Sequence, residues 1–203
     1  MKIAIIDSGI HAGHPHVGAV AGAVDFTGRD PLDRLGHGTA VAGAIRERVP
    51  QADLFAVKVF DRRLSAQIGA ILRALEWCRE QRMDVINLSL GTGNPEHRVA
   101  LEEAVGENGV VVSAAAMLPG SLEGVIGVEA DETCPRECFR ERDGVFLASP
   151  YPRPIPGVPK ERNLHGVSFA VANMTGFVAQ ALTSAPRQEL LGALRAMISC
   201  NQL

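Results

Sequence analysis

The sequence predicts an α/β domain in three layers, a mainly parallel central sheet flanked by helices. Three observations carry this reading. Apolar stretches at 2–7, 53–59, 84–90 and 109–115 run without polar alternation, as strands buried on both faces do. Segments with helical spacing lie between them, so strand and helix alternate along the chain. The 203 residues suffice for one well-buried domain and are too few for two ordinary ones, so 1–203 is read as a single domain of minimal size.

Taken in order, strands are expected at 2–7, 53–59, 84–90, 109–115, 124–129 and 144–148, and helices at 38–47, 65–81, 96–107, 168–183 and 187–198. The helix over 65–81 is the clearest. Ile68, Ile71, Leu72, Leu75 and Cys78 fall on one face, and Ser65 is a plausible N-cap. The last helix opens near Pro186, with Leu190, Leu191 and Leu194 sharing a face. Residues 131–163 hold six of the twelve prolines together with Cys134, Cys138 and mixed charges. Proline resists both helix and central strand, so 131–163 is read as a Pro-rich loop insertion. It is either a solvated connection or a wall of a cleft.

Composition excludes several classes. A net charge of −3 offers no basic surface for nucleic acid or for a membrane surface. No apolar run approaches the roughly 20 residues that cross a bilayer. Met1-Lys2 lead straight into the first strand, so neither signal peptide nor propeptide is expected and the protein is expected in the cytoplasm. Cys78, Cys134, Cys138 and Cys200 then read as reduced thiols, with a disulfide or a metal site at the Cys134–Cys138 CxxxC pair as the alternatives; no metal and no cofactor are expected.

Three short motifs follow one another: Asp7-Ser8-Gly9, His37-Gly38-Thr39 and Gly166-Val167-Ser168-Phe169-Ala170. Each of the three residues alone has a structural explanation: Asp7 as a turn residue, His37 as a helix-start residue, Ser168 as an N-cap. Together they supply a carboxylate to orient, an imidazole to accept a proton and a hydroxyl to attack. The order Asp, His, Ser is that of the subtilisins.

The resemblance extends to further segments. Ile3-Ala4-Ile5-Ile6-Asp7-Ser8-Gly9 resembles the first catalytic strand of the subtilase family, and His37-Gly38-Thr39-Ala40-Val41-Ala42-Gly43 its histidine helix. Val57-Lys58-Val59 and Asn87-Leu88-Ser89-Leu90-Gly91 are similar to two more family segments, and 166–170 with Gly176 to the serine helix. The resemblance implies a subtilisin-like fold and a serine endopeptidase with Asp7, His37 and Ser168 as triad. It also implies that Ser89, Leu90 and Gly91 form the edge that pairs with an extended peptide or protein substrate.

Two departures stand out. The family places an oxyanion-binding asparagine after an Ala-Ala-Gly stretch, where this chain reads Ser113-Ala114-Ala115-Ala116-Met117. Met117 takes the position, or Ala116 if the alignment slips by one, and neither side chain can donate. Asn173, Asn163 and Asn94 are candidates for a relocated donor; a slow protease and a catalytically impaired peptide-binding or chaperone module are the other outcomes. Ala172 stands where the family has proline four residues after the serine. The shortness of the chain, the expected lack of a propeptide and the missing asparagine together resemble the subtilisin-like enzymes of quinohemoprotein amine dehydrogenase maturation. Those remove a leader peptide from the small subunit after a radical enzyme has cross-linked it. The resemblance implies a complex with that subunit and with the cross-linking enzyme.

Overall fold

The computed structural model describes residues 1–106 and 108–198. Eight strands form one sheet in the order β2-β3-β1-β4-β5-β6-β8-β7. They are β1 (Lys2–Asp7), β2 (Gly22–Asp25), β3 (Asp53–Lys58), β4 (Val85–Leu88), β5 (Val110–Ala114), β6 (Ile126–Ala130), β7 (Phe139–Arg142) and β8 (Val145–Ala148). All neighbours are parallel except β7, which runs antiparallel to β8. The expected α/β architecture is therefore present.

The helices are α1 (His37–Arg48), α2 (Ile68–Glu80), α3 (Arg98–Gly106), α4 (Val167–Ala181) and α5 (Leu190–Met197). Two apolar clusters show how they cover the sheet. Val41 and Ile45 of α1, Phe169 to Ala181 of α4 and Leu190 and Leu194 of α5 pack on one face. Ile71, Leu75 and Cys78 of α2 with Leu101 and Val105 of α3 pack on the other. Side chains of a strand alternate between these clusters: Ile3 and Ile5 join the first, Ala4 and Ile6 the second. This explains why β1 reads as an unbroken apolar run, since both of its faces are buried.

β1 lies between β3 and β4. The strand order reverses there, and crevices at such a reversal, outside the carboxyl ends of the strands, are where open α/β sheets place their sites. Asp7 is the last residue of β1. α4 is buried continuously from Phe169 to Ala179, and its small residues allow the close approach. A Cβ on Gly176 would come within 2.7 Å of the Arg48 side chain, whose guanidinium lies 3.9 Å over the Phe177 ring.

Four expectations need correction. In 131–163 the expected strand at 144–148 is present as β8, but its partner β7 was not expected. β7 and β8 form a hairpin through Asp143 and Gly144, both at positive φ (52° and 82°), the backbone that Asp-Gly supplies in a two-residue hairpin turn. Phe139 anchors β7 against Phe146 and Phe177. The short β2 was not expected, because Gly22-Ala23-Val24-Asp25 has too few apolar residues to stand out. Ser65 does not cap α2, whose N-cap is Gln67. Cys138 is disulfide-bonded, whereas Cys78 and Cys134 are buried; Cys200 lies outside the described residues. Among the described residues, no helix is long and apolar enough to cross a membrane.

Candidate active site

Asp7 is fully buried at the carboxyl end of β1. Its Oδ1 and Oδ2 lie 2.8 and 2.9 Å from Nδ1 of His37, the first residue of α1. The Ser8 amide donates to Oδ1 at 2.7 Å. The approach of α1 needs a glycine next to the histidine: a Cβ on Gly38 would collide with the Gly9 carbonyl and press on the Asp7 side chain at 3.2 Å. Gly36, at φ 75°, turns the chain into the helix, a conformation that favours glycine.

Asp33 fixes the start of α1 and was not singled out by the sequence. Ser8 Oγ donates to its Oδ1 at 2.8 Å and accepts from the Gly38 amide at 3.0 Å. The Leu35 and Gly36 amides also donate to Oδ1, and the Thr39 amide and hydroxyl donate to Oδ2. The loop is tied down by Lys58, fully buried, whose Nζ donates to the Leu32 carbonyl at 2.6 Å and lies 4.0 and 3.9 Å from Asp30 and Asp61. Burial disfavours the His37 imidazolium. The hydrogen bond and charge of Asp7, with the charge of Asp33, outweigh it and hold the imidazole above its ordinary value.

Ser168 is the second residue of α4, with Gly166 as N-cap. It is held to the end of β4 by a buried polar chain. Asn87 Nδ2 donates to Ser89 Oγ at 2.8 Å, and Ser89 Oγ donates to the Ser168 carbonyl at 3.1 Å. Thr175 Oγ1 lies 3.0 Å from Asn87 Oδ1 and 2.8 Å from the Val171 carbonyl, and its one proton serves one acceptor at a time. The Ser168 hydroxyl itself donates to the Ser89 carbonyl at 3.3 Å, and not to His37. The imidazole packs 5.4 Å from the ring of Phe169, the residue after the serine. The fold thus brings His37 beside the start of α4, with the Asp7–His37 bond made and the serine rotated toward β4.

Ser89, Leu90 and Gly91 line a groove of about 360 Å³ together with Ser168 and Met117. Thr92 pairs with Leu118 through both backbone bonds, at 2.9 and 3.0 Å, so the two walls are tied together. Gly91 faces Met117: a Cβ there would sit 2.7 Å from the Met117 Cβ. Met117, not the exposed Ala116, borders the groove. None of the three candidate asparagines lines that groove. Asn173 Nδ2 is bonded to the Ser149 and Tyr151 carbonyls, Asn163 Nδ2 to the Arg153 carbonyl, and Asn94 caps the turn before α3. Among the described residues no group of three or more His, Cys, Asp or Glu is arranged to hold a metal.

The sequence model of the subtilase family matches residues 1–122, which include Asp7 and His37. The chain is 32% identical to subtilisin DY of Bacillus licheniformis over 220 residues, covering 92% of this chain and 78% of that protein. The chain belongs to the subtilase family. Subtilisin E of Bacillus subtilis is 40% identical over 134 residues, 60% of this chain and 35% of that protein. The chain thus spans about a third of the length of that relative. The intracellular serine protease of Paenibacillus polymyxa is 30% identical over 213 residues, 88% of this chain and 65% of that protein.

Proposed function

We propose that residues 1–203 form one peptidase domain that acts as a serine endopeptidase, with Asp7, His37 and Ser168 as its triad. The observation that carries this is the buried Asp7 carboxylate held on His37 Nδ1 at 2.8 and 2.9 Å. It fixes the tautomer that leaves Nε2 free to accept a proton. On substrate binding the Ser168 hydroxyl leaves the Ser89 carbonyl and turns to Nε2. Oγ then attacks the scissile carbonyl, and its proton passes to Nε2 and on to the leaving amine. Water, deprotonated by the same imidazole, releases the acyl group. The Ser168 amide at the start of α4, with the positive end of the helix behind it, receives the developing oxyanion. Ser89, Leu90 and Gly91 pair with the extended substrate on the acyl side.

Met117 gives this oxyanion site no side-chain donor, so general proteins are cut slowly. A docked partner is still cut, because proximity offsets a low intrinsic rate. We therefore read the chain as a dedicated cytoplasmic processing protease. By its resemblance, the substrate is the leader peptide of a partner such as the small subunit of quinohemoprotein amine dehydrogenase, met in a complex with the radical cross-linking enzyme. The second reading, a catalytically impaired peptide-binding or chaperone module, draws on the same methionine and on the serine hydroxyl turned toward Ser89.

A fluorophosphonate probe separates the two. The first reading expects labelling that disappears in Ser168→Ala, and one discrete cut, read by mass spectrometry, in a leader-bearing partner. Absence of labelling with retained peptide binding establishes the second.

A further inference from the structure

A second concavity, of about 580 Å³, opens between the loop after β1 and the Pro-rich segment before α4. It includes Gly36, Thr39 and Ala40, on both sides of His37, and shares no lining residue with the groove that carries Ser168 and Ser89–Gly91. One groove is lined by Ser168 itself, and the other by the chain neighbours of His37.

The second cavity has two kinds of wall. Ile155 and Leu164 are apolar and 45% and 50% exposed; large exposed apolar side chains gathered around one concavity mark a contact surface. The same cavity is lined by His11, His14 and His16, with ring centroids 6.3 and 5.3 Å apart along the series, and by Arg153. The acidic groups nearby are already engaged. Both Asp33 oxygens accept bonds from Ser8, Thr39 and the Leu35 and Gly36 amides. Glu47 pairs with Arg136 and lies 3.8 Å from Arg153. Arg153 spends one N–H on the His16 carbonyl of the five a guanidinium carries. The wall is rich in donors, and its one carboxylate, Asp33, keeps its charge but has both oxygens engaged by neutral donors.

We propose that this cavity binds the part of the substrate beyond the cleaved bond and selects there an apolar residue next to an acidic one. The proposal rests on the triad assigned above. The imidazole hands its proton to the leaving nitrogen, so the leaving half of the substrate departs along the His37 side. The acyl half stays on Ser168 beside Ser89–Gly91. An apolar side chain on the leaving half covers Ile155 and Leu164, and a neighbouring carboxylate accepts from the imidazole N–H groups and Arg153.

The test uses the full chain and quenched peptides that share one acyl half. Their leaving halves begin Leu-Glu, Leu-Gln or Ala-Lys. Each rate is normalised to a p-nitroanilide of the same acyl half, which has no residue beyond the cleaved bond. The expected normalised kcat/KM for Leu-Glu exceeds that for Ala-Lys by about 10- to 100-fold, the worth of a charge-assisted hydrogen bond. That preference collapses in His14→Ala/Arg153→Ala, and Ile155→Asp lowers the Leu peptides. In parallel, the imidazole resonances of Ser168→Ala protein are followed as acetyl-Leu-Glu-amide is added; shifts of His11, His14 and His16 are expected. Equal rates for all three peptides, with unmoved imidazoles, overturn the proposal while leaving the triad intact. Absence of probe labelling and of p-nitroanilide hydrolysis removes the triad; shifted imidazoles would then leave a binder of acidic peptides and overturn the leaving-half assignment.

Discussion

Replacing Met117 with asparagine is expected to accelerate this protein. In the proposed site the Ser168 amide at the start of α4 is the oxyanion donor, and none of the three candidate asparagines lines the groove. Met117 borders the groove beside Ser168. One oxyanion donor is worth about 100- to 1000-fold in kcat, or about 2.7–4 kcal/mol of transition-state stabilisation; that range comes from removing the corresponding donor from subtilisin. The opposing term is packing. Met117 is half-buried against the cluster beneath α1 and α4, and losing part of that contact costs about 1 kcal/mol of stability. Gly91 opposite carries no side chain to clash with the carboxamide. The assay is kcat on a quenched peptide and the rate of fluorophosphonate labelling, for Met117→Asn beside Met117→Ala as the control for lost volume. If folded Met117→Asn turns over no faster than Met117→Ala, the cleft is not limited by a missing donor and residue 117 does not face the oxyanion.

Two further outcomes follow from the site. His37 is held above the ordinary imidazole value of 6.5, with the Asp7 bond and charge overcoming burial, and a general base must be neutral. The kcat/KM profile should therefore fall as pH decreases through a midpoint above 6.5. Asp7→Asn should move that limb down and lower kcat by about 10⁴-fold; a limb below 6.5, or one unmoved by the substitution, counts against the pair. Gly38→Ala puts a methyl against the Gly9 carbonyl and the Asp7 side chain. Thermal unfolding should show a loss of about 1–3 kcal/mol, with labelling of Ser168 slowed as α1 shifts. A variant with wild-type melting and labelling would show that α1 has room to spare there.

Much of the fold was legible because its signals are local. The unbroken apolar runs of β1, β3, β4 and β5 report burial on both faces, and the i, i+3, i+4 spacing of α2 reports one buried face. β7 was missed because Phe139-Arg140-Glu141-Arg142 is mostly charged. Its place is set by one buried phenylalanine and an Asp-Gly turn, and Arg142 and Arg140 pair with Glu129 and Asp131. Ser65 looked like a cap by residue type alone, but the chain enters α2 two residues later.

The sequence by itself determined the residue types and order of the proposed triad, and the lack of an amide at 117. Those are properties of short segments, and residue chemistry is enough to read them. Only the tertiary structure decided that Asp33 and Lys58 hold the histidine loop, that Thr175 and Asn87 lock α4 to β4, and that three histidines line a cavity with the Pro-rich segment. Each of those contacts joins stretches far apart in sequence. Their partners are chosen by which faces the packed sheet brings together, and no local pattern records that choice.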